Sequence, residues 1–96
     1  MEHPDTLNAL HFLANLSRDS DNLDEARVQY DTVLNGLVKL GHPLRYLAMY
    51  DIGILLRKQG DEDGATSMIR AAYEGLNDVF GPENEHTKDA QKALGE

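Results

Sequence analysis

Residues 3–10 read HPDTLNAL, and residues 42–49 read HPLRYLAM. A His-Pro pair returns after 39 residues, each time ahead of an apolar run with helical spacing, and laying the chain over itself at that offset extends the match. Leu10, Leu13, Ala14 and Ser17 fall on one helix face, and their counterparts Met49, Ile52, Gly53 and Leu56 keep the same spacing. A second stripe, Ala26, Tyr30, Val33, Leu34 and Leu37, returns as Ala65, Ile69, Ala72, Tyr73 and Leu76. Nine positions keep the same spacing, and most of them agree in polarity and roughly in size. The reading is an antiparallel helix-turn-helix unit, a first (A) helix and a second (B) helix, that occurs twice.

The breaks fall where this layout needs them. Pro4 and Pro43 suit the first turn of an A helix, where a missing N–H loses no bond. In the first turn region, DSDNLDEA, Asn22 and Glu25 have the spacing of a capping box. The second, KQGDEDGA, offers Gly60 as a left-handed stop and Asp61 as an N-cap. Gly81 and Pro82 break the chain again, and one more helix follows. The expected fold is all-α, a single domain over residues 1–96 in the manner of an α-solenoid. Repeat 1 spans about residues 4–40, repeat 2 about 43–80, and a terminal capping helix about 84–94. That last helix has Ala90, Ala93 and Leu94 facing inward, with Lys88, Asp89, Lys92 and Glu96 outward. Gly36 and Gly75 share one repeat position inside B helices, although a mid-helix glycine costs about 1 kcal/mol against alanine. Close approach of the next A helix is the expected reason.

The small residues at 14 and 53, alanine at 26 and 65, and Tyr30/Ile69 resemble the tetratricopeptide repeat. The usual period of that repeat is about 34 residues. Here it is 39 and then 42 (Arg45 to Thr87), and HPDT opening an A helix resembles the kinesin light chain type. HPDTLNALHFLANL followed by LDEARVQYDTVL carries the likeness best, while HPLRY lacks the Asp-Thr and Gly64 stands where the family favours Glu. The resemblance implies antiparallel helix pairs stacked into a right-handed superhelix. It also implies binding of a peptide or helix in the concave surface lined by A helices. Groove positions then fall on His11, Asn15 and Arg18 of the first repeat, and on Tyr50, Ile54 and Arg57 of the second. Where the kinesin light chain type commonly has an Asn pair, this chain has His11-Phe12 and Tyr50-Asp51.

The bulk properties narrow the function further. A net charge of −8 argues against a nucleic-acid binder, which presents a basic face. The acidity concentrates late: residues 60–96 hold nine acids and three bases. No cysteine is present, no apolar run approaches the roughly 20 residues that span a bilayer, and no charged-then-apolar leader opens the chain. The expectation is a cytoplasmic protein with no membrane contact. Arg18, Arg57 and Lys58 make the ends of the A helices locally basic. They are read either as forks for a carboxylate or phosphate on a ligand, or as ion pairs with Asp19, Asp21 or Asp61 in the turns, the second reading standing first.

Patterns that suggest chemistry fail on spacing. DSDNLDE lacks the Gly and Glu that a calcium loop needs at its sixth and twelfth places, offering Asp24 and Tyr30 instead. His3, His42 and His86 sit at repeat boundaries, and His11 stands apart. No HExxH, GxGxxG or phosphate-loop pattern occurs, and no local motif assembles a nucleophile with a base and an orienter. The expected function is therefore non-catalytic, with no cofactor and no metal: a protein–protein interaction module. The alternative is a structural spacer or self-association module that packs through its end faces, as a homodimer or as a piece of a longer array.

Overall fold

A computed structural model describes residues 4–95, with side chains from residue 6 onward. His3 of the opening pair and Glu96 of the terminal helix lie outside the described residues. Five helices follow one another: α1 (Pro4–Asp19), α2 (Leu23–Lys39), α3 (Arg45–Lys58), α4 (Glu62–Phe80) and α5 (Glu85–Ala93). The described residues contain no strand. The fold is all-α.

Each of the first three helices closes with the same backbone device. At α1, the N–H of Asn22 donates to Ser17 O at 2.8 Å and that of Asp21 to Arg18 O at 3.1 Å. At α2, His42 donates to Leu37 O and Gly41 to Val38 O; at α3, Asp61 donates to Leu56 O and Gly60 to Arg57 O. These are Schellman closures, which need a left-handed residue just past the helix. Gly41 and Gly60 supply it at φ 63° and 90°, and at the position 39 before Gly60 the aspartate Asp21 takes φ 63°.

The helix starts follow expectation unevenly. Asp61 caps α4, its carboxylate accepting from Gly64 N–H at 2.9 Å. Asn22 makes no side-chain cap, so the expected capping box is not formed. Pro43 lies ahead of α3 rather than inside it: His42 Nδ1 accepts from Leu44 N–H at 3.1 Å and holds a turn before the helix begins at Arg45.

Packing follows chain order. Ala14 of α1, Ala26 and Tyr30 of α2, and Ile52 and Leu55 of α3 form one buried cluster. Leu7, Val33, Leu37 and Ala48 form a second at the opposite end of the same three helices. The start of α1 and of α3 therefore meets the end of α2, so α2 runs antiparallel to both. A third cluster joins Ala65, Ile69 and Leu76 of α4 to Ala90 of α5, with Tyr46, Leu47, Tyr50, Ile54 and Leu56 of α3 around it. Each large side chain buried here contributes about 1.5–3 kcal/mol. The radius of gyration, 12.6 Å, is that of a compact domain of this length.

The α2 and α4 stripes match each other, with Leu34 and Tyr73 half-buried at their edge and the other four positions of each in the core. Ala26, Tyr30, Val33 and Leu37 are buried, and so are Ala65, Ile69, Ala72 and Leu76. The stripe expected on α1 needs correction. Ala14 is buried and Leu10 half-buried, but Leu13 is 49% exposed, and Ser17 is half-buried with its hydroxyl donating to Gln29 Oε1 at 3.0 Å. Leu7 takes the core place instead. Gly75 also departs from expectation in its neighbour. A Cβ there would run into the ring of Tyr46, which belongs to the preceding helix α3 and not to the following one, α5.

Candidate functional site: a cleft lined by α1, α3 and α5

Helices α1, α3 and α5 line a cleft of about 420 Å³. From α1 come Asn8, His11, Phe12 and Asn15; from α3, Leu47, Tyr50 and Asp51; from α5, His86 and Asp89. The register is that of one helix face: residues 8, 11 and 15 are one and two turns apart, and Leu47 and Tyr50 are the partners of Asn8 and His11 at the offset of 39.

One wall is a fixed polar network. The Tyr30 hydroxyl donates to Asn15 Oδ1 at 2.5 Å, and the His11 ring meets the Tyr30 ring edge-on, centroids 5.9 Å apart. His11 Nε2 lies 2.5 Å from Asp51 Oδ2, and Arg18 Nη1 donates to Asp51 Oδ1 at 3.4 Å. Arg18 Nε donates in turn to Asp19. Both carboxylate oxygens of Asp51 are therefore engaged, and the chain links α1 to α3 across 33 to 40 residues of sequence. Burial raises the pKa of the Tyr30 phenol well above its ordinary value, and Asp51 adds to that while Arg18 opposes it. The Tyr50 phenol is also raised, by burial first and then by Asp89 and Asp51. Both phenols stay protonated at neutral pH, each able to donate.

The opposite part of the cleft is open. Asn8, Phe12, His86 and Asp89 are exposed, Phe12 by 63%. An aromatic face, amides, a phenol, an imidazole and a carboxylate in one cleft suit the recognition of a mixed polar and apolar chain segment. Among the described residues no group of three or more His, Cys, Asp or Glu is placed to hold a metal ion.

Of the six expected groove positions, His11, Asn15 and Tyr50 line the cleft. Ile54 packs partly buried against the α4–α5 cluster. Arg18 is held by Asp51 and Asp19. Arg57 donates to the Ala93 carbonyl at the end of α5 at 2.9 Å and pairs with Glu62 at 3.4 Å. Lys58 lies 3.7 Å from Asp21. The basic ends of the A helices thus tie elements of this chain together. His11, read as standing apart, is the partner of Asp51. The sequence reading missed Asn8, Phe12, Leu47, Asp51, His86 and Asp89. Asn8 and Leu47 were within reach, one turn before His11 and Tyr50 on the same face, and Asp89 follows Leu47 at the second period of 42.

No protein-family model matches the chain, and no curated protein matches it. Among the described residues, no helix is long and apolar enough to cross a membrane.

Proposed function

We propose that this chain is a non-catalytic recognition module of the tetratricopeptide type. In this reading, two helix-turn-helix repeats and a terminal A-type helix present a concave cleft to a peptide or helix of a partner protein. The observation that carries it is the cleft itself: α1, α3 and α5 contribute side chains to one surface, with a half-buried network fixing its wall and Phe12, Asn8, His86 and Asp89 left open to a ligand. A preformed wall lowers the ordering entropy that binding must overcome. The longer period and the HPDT opening favour the kinesin light chain type within that class. The second reading, packing through the end faces, has the exposed Leu13 and Leu16 of α1 in its favour.

The test is affinity capture with quantitative mass spectrometry, comparing the natural chain with a Phe12→Glu/Asp89→Lys variant. Both sites are exposed, so the helical signal is expected to survive. Arg18 and Arg57 are unsuited to this purpose, because their loss would break internal contacts. Partners missing only from the variant support recognition in the cleft; an unchanged set of partners refutes it.

A further inference from the structure

The outer face of α1 carries apolar side chains that its counterpart on α3 buries. At the offset of 39, Ala9, Leu13 and Leu16 correspond to Ala48, Ile52 and Leu55. On α3 these three are 0%, 1% and 0% exposed; on α1, Ala9 is exposed, Leu13 is 49% exposed and Leu16 47%. The sequence is alike, so the difference lies in what covers the face. On α3 the cover is α2: Val33 and Leu37 cluster with Ala48, and Ala26 and Tyr30 with Ile52 and Leu55. The arrangement occurs a second time, where Ala65, Ile69 and Leu76 of α4 cluster with Ala90 of α5, the residue that follows Ala48 at the second period. The two covering helices share one stripe, Ala, then Tyr or Ile four residues on, Val or Ala three further, and Leu four further.

From this we infer that the face formed by Ala9, Leu13 and Leu16 docks an amphipathic helix of a partner that carries the stripe Ala-x3-(Tyr/Ile)-x2-(Val/Ala)-x3-Leu and runs antiparallel to α1. The chain itself states the chemistry of the occupant, because it shows the same face filled that way. Head-to-tail stacking of a second copy is disfavoured. The stripes of α2 and α4 are already buried within each copy, and the exposed side chains of α5 include Glu85, Lys88, Asp89 and Lys92, polar throughout. The docking face is uncharged, so specificity comes from the fit of small and branched side chains, as it does between α2 and α3. This surface lies outside the polar wall of the cleft and does not depend on the cleft being a binding site.

The test uses a synthetic peptide with the sequence of residues 22–40, which carries the stripe of α2. It is titrated into the isotope-labelled chain while amide shifts are followed. Saturable shifts centred on Ala9, Leu13 and Leu16 are expected, together with affinity about tenfold weaker, or about 1.4 kcal/mol, for a Leu13→Glu/Leu16→Glu chain. A peptide carrying Tyr30→Ser and Val33→Ser should bind correspondingly less. No binding, or equal binding to the glutamate variant, overturns the inference. So does a dimer of the free chain, seen by sedimentation and abolished by the glutamates, since the occupant would then be a second copy. Should the variant lose its helical signal, the shift map on the natural chain still decides, because shifts elsewhere refute the assigned face.

Discussion

Replacing Gly53 by alanine places a methyl group at a close contact between α3 and α4. A Cβ at that position would come nearer than 3.0 Å to Ile69 Cγ1, 3.2 Å from Ile69 Cδ1 and 3.3 Å from the Ala65 carbonyl oxygen. Ile69 is fully buried and, being β-branched, stiff at χ1, so it cannot turn aside cheaply. Alanine gains about 1 kcal/mol of helix propensity over glycine, whereas overpacking of a close-packed core costs about 1–3 kcal/mol. The net expectation is a loss of about 1 kcal/mol, or a melting temperature lower by about 4–8 °C for a domain of this size. Ile69→Ala alone should cost about 2–5 kcal/mol. In that background the steric conflict is gone and the methyl group fills space, so Gly53→Ala should stabilise by about 1 kcal/mol. The sign change, a coupling of about 2 kcal/mol, is read from urea unfolding of the four proteins followed by circular dichroism. The counterpart pair is already natural in this chain, where Ala14 and Tyr30 are both buried. If Gly53→Ala stabilises the natural chain as much as the Ile69→Ala chain, the close approach of α3 and α4 is refuted.

Asp51→Ala removes the shared partner of His11 and Arg18, whose side chains are largely buried, and should cost about 2 kcal/mol by denaturant unfolding; Arg18→Ala in that background should cost much less than alone. Asp21 holds the left-handed position that Gly60 fills one period later, so Asp21→Gly should raise the melting temperature by a few degrees, the relief of about 1 kcal/mol outweighing glycine's added chain entropy. Alkaline pH should destabilise the fold through Tyr30. Its folded pKa is raised above the unfolded value of about 10, so this contribution is complete below that value and is lost progressively as pH rises from there through the folded value. Melting temperatures measured from about pH 9 to about pH 11.5 should accordingly fall less steeply in a Tyr30→Phe chain than in the natural one, and equal slopes would remove Tyr30 as the cause.

The stripes of α2 and α4 were legible at Ala26, Tyr30, Val33 and Leu37 and at Ala65, Ile69, Ala72 and Leu76, because each helix buries one face and a period of 3.6 reports that directly, while Leu34 and Tyr73 fall at the half-buried edge. The α1 stripe was not. Leu13 and Ile52 sit at equivalent positions, yet only Ile52 has α2 beside it, and periodicity carries no information about a missing neighbour. Asn22 and Asp61 show a similar limit at helix starts: both are good capping residues, but only Asp61 reaches a backbone N–H. Within the cleft, His11, Asn15 and Tyr50 followed from one helix face. Asp89 was within reach from the second period, whereas Asp51 and His86 depended on how α3 and α5 approach α1, which spacing along the chain does not specify. Arg18 and Arg57 were legible as basic residues, while their partners Asp51 and the Ala93 carbonyl became visible only with the helices packed.

The most direct test of the account is an amide-shift map of the isotope-labelled chain with the minimal binding segment of a captured partner. Recognition in the cleft predicts shifts at Asn8, His11, Tyr50 and Asp89, all weakened by Phe12→Glu/Asp89→Lys. Shifts confined to the outer surfaces of α2 and α4, and indifferent to that variant, would contradict it.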